Sequence, residues 1–407
     1  MANDMVDKGL DLLRQEFGEE RVRAAVEAVK RFQVEIPGWV FGEFGGGRFG
    51  DYMPPGAALN IEQKLDDAAC VNKLTGATSR VATHVLWDFS EDDVNGSFEI
   101  AERVKAEADK RGLALGSISP TYFLKGSHRG SLSSDDQPTR ERYLEQTILG
   151  GRIANELANG LLTLWLPDGS AYPGQRELRA AYRNVVAMLK EARAAIPDKV
   201  QILIEYKLFE PGTYSTTIPD WGTAAQMARD VGGNTGVLVD LGHHHHGTNI
   251  EQIVAMLIAD AMPAGFHFNT RYAADDDHAV EPNPEMARIF YELVTGDVVV
   301  SQDESRNWAF MIDQCSGREN RIHAILQSVD SLQISLARAS LLDPAQLQQY
   351  QDRDEVILAN RFANNALLLA DVRPIVRQAR TEKDLPLDPV QAYVDSGYQE
   401  KIEAERS

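Results

Sequence analysis

The residues best placed to do chemistry are acids and histidines that end short apolar runs. Glu205 closes the run QILIE, with Lys207 two residues on. Asp240 closes GVLVD and is followed by His243. His267 sits within AGFHFN, ahead of Asp275 and Asp277, and Asp313 closes AFMID. A single carboxylate after an apolar run is ordinarily a helix cap or a turn residue. Consecutive runs that each end in an acid or a histidine are different, because the ends of parallel barrel strands converge on one face. Carboxylates aimed at one point repel one another and are tolerated only beside a cation. A mixed Glu, Asp and His donor set suits a divalent first-row ion such as Mn2+, Co2+ or Zn2+. Glu205, Asp240, His267 and Asp313 would make a four-ligand site, leaving His243, Asp275 and Asp277 for a second, more open one. Asp275 and Asp277 are spaced by two, so in extended backbone both point the same way, with Asp276 turned outward.

Eight apolar runs recur along the chain, at 39–44, 81–88, 114–120, 160–166, 201–207, 236–240, 264–269 and 309–313. Continuous runs of this kind suit strands buried on both faces. Between them, 61–73, 98–111, 140–159, 175–195, 223–231, 250–261 and 284–295 carry apolar residues at three- and four-residue spacing, which predicts helices. Pro284 suits a first helical position. Strand and helix alternating through eight units predicts a (β/α)8 barrel, with an open doubly wound sheet as the competing arrangement. No strand pattern follows residue 321; helices are expected at 321–341 and 344–371, then a polar end. The expected organisation is a catalytic barrel over 1–330, including an N-terminal helix, and a C-terminal helical extension over 331–407. That arm would pack on a neighbouring subunit or cap its own barrel.

The chain has 407 residues with a formal charge of −20 and 43% hydrophobic residues. At ~150 residues per domain the length alone suggests two or three domains, and the barrel reading reduces this to one plus an arm. The acidity argues against nucleic-acid binding, which draws affinity from neutralised phosphates. No apolar run reaches the ~18 residues of a membrane span. Cys70 and Cys315 are expected to be reduced thiols of a cytoplasmic protein. The first fourteen residues mix Asp and Lys with leucines, unlike a secretory leader.

Glu205-Tyr-Lys207, Asp240-Leu-Gly-His243, Gly265-Phe-His267-Phe-Asn269, Asp275-Asp-Asp277 and Met311-Ile-Asp313-Gln314 resemble the metal-site motifs of bacterial L-rhamnose isomerases of the broad-specificity aldose–ketose type, within the xylose-isomerase-like barrels. The resemblance spans about 39–340. It implies an intramolecular oxidoreductase with two divalent ions per subunit, Mn2+ first and Co2+, Zn2+ or Mg2+ as alternatives. Glu205, Asp240, His267 and Asp313 match the first ion's ligands, and His243, Asp275 and Asp277 those of the second. Whether Glu205 bridges both stays open. Lys207 matches a lysine on the substrate oxygen being polarised, and His84 a histidine at the sugar's ring-oxygen end. Trp165 matches one aromatic wall, with Trp39 and Phe49 matching another. The implied partner is a small sugar, and the implied assembly a homo-oligomer, dimer or tetramer. Metal-assisted 1,2-hydride transfer is the expected route. The alternative is an enediol with Asp313 or Glu205 as base.

Other features carry less chemistry. His244, His245 and His246 read as polar loop residues. Gly45-Gly46-Gly47-Arg48 lacks the Lys-Ser/Thr ending of a phosphate loop and reads as a loop beside the pocket. Glu91-Asp92-Asp93 reads as a solvated turn, His128 as exposed, and Cys315 as a buried thiol. No G-x-S-x-G elbow is present. Two alternatives are a barrel metallohydrolase acting on phosphodiesters and a non-enzymatic metal-binding protein built on the histidine run. Scarce positive charge disfavours the hydrolase.

Overall fold

The computed structural model describes residues 2–42, 53–123, 126–210, 213–272, 277–315 and 317–406. The strands form where β-branched, leucine and aromatic residues run together and both faces can be covered. They are β1 (Ile36–Pro37), β2 (Arg80–His84), β3 (Ala114–Ser119), β4 (Leu161–Trp165), β5 (Gln201–Glu205), a two-stranded ribbon of β6 (Phe209–Glu210) and β7 (Tyr214–Ser215), then β8 (Thr235–Asp240), β9 (Ala264–Phe268) and β10 (Ala309–Ile312). Apart from the ribbon they make one parallel sheet in the order β1-β2-β3-β4-β5-β8-β9-β10. Glu35, just before β1, closes it. Its N–H donates to Phe310 O at 2.9 Å, and its carbonyl accepts from Ile312 N at 3.0 Å. The result is the expected (β/α)8 barrel.

The interior is built in layers. Leu161, Leu203, Leu238 and Met311 form a small apolar cluster of their own. Side chains repeat their direction every two residues along a strand. The residues two positions further on are Thr163, Glu205, Asp240 and Asp313, so an apolar plug lies directly beneath the polar layer. Gly265 makes room for that plug, since a Cβ there would come 2.8 Å from Leu203 Cδ1. Two residues on from Gly265 is His267.

Two strand positions differ from expectation. The run 39–44 was expected as strand one, but the strand is Ile36–Pro37 and Gly38–Phe41 is a 3-10 turn. Gly38 crosses β2 so closely that a Cβ would lie 2.7 Å from Ala82 O. The turn then sends the Trp39 ring into the barrel mouth. In the run 81–88, the strand stops at His84 and Val85–Asp88 is a helical turn. Asp88 fixes that turn by accepting the His84 N–H at 2.8 Å. Continuous apolar runs do not distinguish strand from buried turn, which is why sequence misplaced both.

The helices sit close to expectation, and side chains cap their starts. Asn60, Ser97, Asp136, Asp220, Asn249, Asn283 and Asn320 each accept a first-turn N–H. Pro284 does occupy the first turn. The N-terminal part is two helices, Ala2–Phe17 and Glu19–Arg31, parted at Gly18 with φ +89°. The span 344–371 is broken at Asp354, φ +55°, and ends in a π-helical turn, Asn365–Leu369. Arg373–Glu382 packs on both N-terminal helices, and Pro389–Asp395 packs on Ile61–Thr75 and Arg321–Leu341, so the last helices lie on their own barrel. No helix among the described residues is long and apolar enough to cross a membrane.

Arg406 locks the C-terminal helix down. It donates to both carboxylate oxygens of Asp67, at 2.7 and 2.9 Å, and to Gly56 O at 2.9 Å. Both side chains are almost wholly buried. Removing one partner from such a pair strands the other charge. Arg406→Met is expected to lower unfolding stability by about 3 kcal/mol, read as a drop in Tm. The compensated pair D67L/R406M should recover much of it. A Tm unchanged in R406M would show that the pair holds nothing.

Candidate active site

The polar layer at the C-terminal ends of the strands gathers most of the expected residues. Ligand atoms of Glu205, Asp240, His267 and Asp313 all lie within 4.8 Å of one another, and those of Asp240, His243 and Asp277 form a second such group. Asp240 belongs to both. Glu205 also stands between them, its Oε1 3.1 Å from His267 Nδ1 and 3.3 Å from His243 Nδ1. Phe49 and Asp275, like Arg48 and Asp276, lie outside the described residues.

The donor set fits a divalent cation. Asp240 Oδ1 accepts from Gly242 N at 2.7 Å and Asn269 Nδ2 at 3.0 Å. Its Oδ2, and Nε2 of His267, are buried with no hydrogen-bond partner among the described residues. A buried carboxylate oxygen left this way needs a cation or an ordered water. Asn269 also reaches Asp277 Oδ1 at 3.3 Å, and Cys315 N donates to Asp277 O at 3.1 Å. Glu319 steadies the same loop by accepting from Ala279 N at 2.9 Å and pairing with His278 at 3.0 Å.

The histidines answer the crowded acids electrostatically. Burial lowers His243, but Asp240 and Glu205 outweigh it and push it up to about 10. His267 rises against burial to about 9 beside Glu205, Asp313 and Asp240. Burial raises Glu205, yet His267 and His243 overcome it and hold its carboxyl well below the ordinary range. Desolvation and the nearby Asp240 and Glu205 raise Asp313 to about 6. Without an ion, the surrounding acids therefore draw both imidazoles toward the protonated form.

The cavity, about 250 Å³, is otherwise lined largely by aromatic side chains. Trp39 donates Nε1–H to Asp313 Oδ1 at 3.0 Å and lies edge-on to His84 with ring centroids 5.0 Å apart. His84 packs against Trp87 at 4.5 Å, Trp87 against Phe123 at 5.1 Å, and Phe123 against Trp165 at 5.0 Å. Lys207 Nζ stands 5.2 Å over the Trp165 ring and is the one lysine or arginine among the described lining residues. Sequence reasoning brought out His84, Trp39, Trp165 and Lys207 but missed Trp87, Phe123 and the positioning role of Asn269. The available signal was an aromatic residue shortly after each of β2 and β3.

Other expectations are met or corrected around the site. His244 is not a solvated loop residue; it is buried, Nε2 2.6 Å from Tyr206 Oη, and burial lowers it to about 3. His246 is exposed, as is His128. Glu91, Asp92 and Asp93 form the exposed turn expected, with Asp92 accepting from Val94 and Asn95 N–H. Cys315 is half-buried and lines the cavity.

Residues 79–296 match the model of the xylose isomerase-like TIM barrel family. The whole chain aligns at 33% identity with 93% of a probable sugar isomerase of Rhizobium meliloti, and at 33% with 93% of another from Mesorhizobium japonicum. An L-rhamnose isomerase of Listeria monocytogenes is 23% identical over 82% of this chain and 78% of its own. Among solved structures, a D-allulose 3-epimerase from Methylomonas sp. superposes with TM-score 0.50 at 14% identity, covering 74% of this chain and 95% of that one, a likeness of fold.

Burial lowers His84 from 6.5 to about 4. The folded chain therefore holds it neutral while the unfolded chain protonates it. Its contribution to stability is full above pH 6.5 and is lost as pH falls toward 4, amounting to about 3 kcal/mol at most. His84→Gln is expected to flatten the acid limb of a Tm–pH curve between pH 6.5 and 4. His243 and His267, raised instead, act between pH 6.5 and about 10. An acid limb identical in both proteins would mean that folded His84 protonates freely.

Proposed function

The chain belongs to the xylose isomerase-like TIM barrel family, and from that premise we propose that it is a metal-dependent sugar isomerase interconverting an aldose and its ketose, of the L-rhamnose isomerase-like kind. The observation that carries this reading is one cavity lined by Glu205, His267 and Asp313, by Lys207, and by an aromatic wall. Glu205, Asp240, His267 and Asp313 would hold one divalent ion, and Asp240, His243 and Asp277 a second, with Asp275 as a further ligand. Such ions supply Lewis-acid polarisation of the sugar's hydroxyl and carbonyl oxygens.

The protein's own groups do the rest. Lys207 presents its ammonium to the oxygen on which negative charge grows, inside a buried site where such a contact is strong. Neutral His84 offers a ring nitrogen to a hydroxyl at the far end without repelling the ions. Trp39, Trp87, Phe123 and Trp165 pack on the apolar C–H face of the sugar and exclude water. Asp313 is tied to Trp39 Nε1, and Glu205 lies between two histidines. With both carboxylates engaged, a direct hydride shift between C2 and C1 is favoured over an enediol.

Three outcomes are expected. A panel of aldoses with Mn2+, scored by kcat/KM, yields ketose; conversion of none overturns the reading. Isomerisation run in D2O leaves C1 and C2 of the product free of deuterium, whereas extensive deuterium there would move the chemistry to Asp313 or Glu205 as base. Titrating Mn2+ into chelator-treated protein at pH 7 releases protons, because His243 and His267 must lose theirs to become ligands, and the apparent affinity rises with pH toward about 10. Binding without proton release would place the ion elsewhere.

A further inference from the structure

Lys207 lies two residues beyond the end of β5, on a long and flexible stem. Its side chain is 7% exposed, its Nζ lies 3.0 Å from Glu210 Oε1, and the Glu210 side chain is itself only 24% exposed. Glu210 does not belong to the barrel wall. It sits on the β6–β7 ribbon, opposite Tyr214. The ribbon is fastened to the loop after β4: Tyr214 Oη donates to Pro167 O at 2.8 Å, Ser170 N to Ser215 O at 3.0 Å, and Thr217 N to Asp168 O at 2.7 Å. Asp168 is itself buried, accepting from Ser131 N at 2.7 Å and Ser133 N at 3.0 Å. The ribbon returns to the lysine's own backbone, where Lys207 N donates to Ile218 O at 3.0 Å and the Thr216 hydroxyl donates to Lys207 O.

We propose that Glu210 is a positioning residue for Lys207, holding the ammonium over Trp165 and into the cavity from a support built on the β4 loop. This rests on the isomerase role given to Lys207 above. A solvated i,i+3 ion pair would order little. Here the lysine is enclosed by an aromatic ring on one side and the carboxylate on another, so the pair fixes where the charge stands. Misplacing a group that acts on the reacting atoms by about 1 Å can lower the rate by about 10²-fold.

The test combines kinetics with a spectroscopic readout. Glu210→Gln should lower kcat by between about tenfold and a hundredfold, with KM within about twofold and Tm unchanged, and Glu210→Asp should fall between it and the parent. In a Lys207→Met background the same Glu210→Gln change should add no further loss, as for residues acting through one another. An equal loss in both backgrounds, or none in either, overturns the proposal. In protein labelled with 13Cε-lysine, the Lys207 ε-methylene protons should show an upfield ring-current shift from Trp165 that collapses in E210Q. An unchanged shift overturns the proposal even if no aldose is converted, an outcome that would instead sink the isomerase reading.

Discussion

Three carboxylates, Glu205, Asp240 and Asp313, the first two buried and the third mostly so, meet at the mouth of a parallel barrel, and they repel one another. Most of the surrounding structure answers that repulsion. His243 and His267 stand among them and are drawn toward the charged form. Gly242 and Asn269 satisfy one oxygen of Asp240 and leave the other without a hydrogen-bond partner among the described residues, which suits a cation. Trp39 takes up one oxygen of Asp313. The fold tolerates an arrangement that would otherwise be destabilising because positive charge, from imidazolium or from a metal ion, is available at the same point.

The support beneath this layer is apolar and set by strand periodicity. Leu161, Leu203, Leu238 and Met311 fill the barrel two residues before Thr163, Glu205, Asp240 and Asp313. A one-residue slip of any strand would turn both members of the pair away from the axis. The barrel register therefore aims the acids and His267 of this layer, and the plug closes the barrel beneath them. Above the layer, Trp39, Trp87, Phe123 and Trp165 surround His84 and Lys207, so the polar groups face a pocket with few competing hydrogen bonds. Loops complete the site: the Asp277 segment is tied to Cys315 and to Glu319, and the ribbon carrying Glu210 is tied to the loop of Asp168.

The barrel strands from β3 onward, the helices that pack on them and the gathering of Glu205, Asp240, His267, Asp313, His243 and Asp277 were legible in the sequence, whereas the β6–β7 ribbon was not. An acid or histidine ending a buried apolar run leaves a pattern that one-dimensional reading can detect. The first two strands were less legible. Trp39 and Phe41 are apolar because a 3-10 turn buries them, and Trp87 because a helical turn places it in the pocket; a run of apolar letters is the same in both cases. His244 looked like one more loop histidine, yet it is buried against Tyr206. Adjacent residues of one type can serve opposite environments, and only packing separates them.

Composition, hydrophobic period and the order of strand-end acids were enough to determine the barrel and the donor types at its mouth, because both are local properties repeated along the chain. The tertiary structure decided how those groups share space. It set Asp240 between two ligand groups, enclosed His84 with Trp87 and Phe123, folded the last helices onto their own barrel, and brought Glu210 to Lys207 from a ribbon outside the barrel wall. Each of these depends on distances between segments remote in sequence or on the course of a connecting loop. Such distances follow from closing eight strands into one ring, which no single segment encodes.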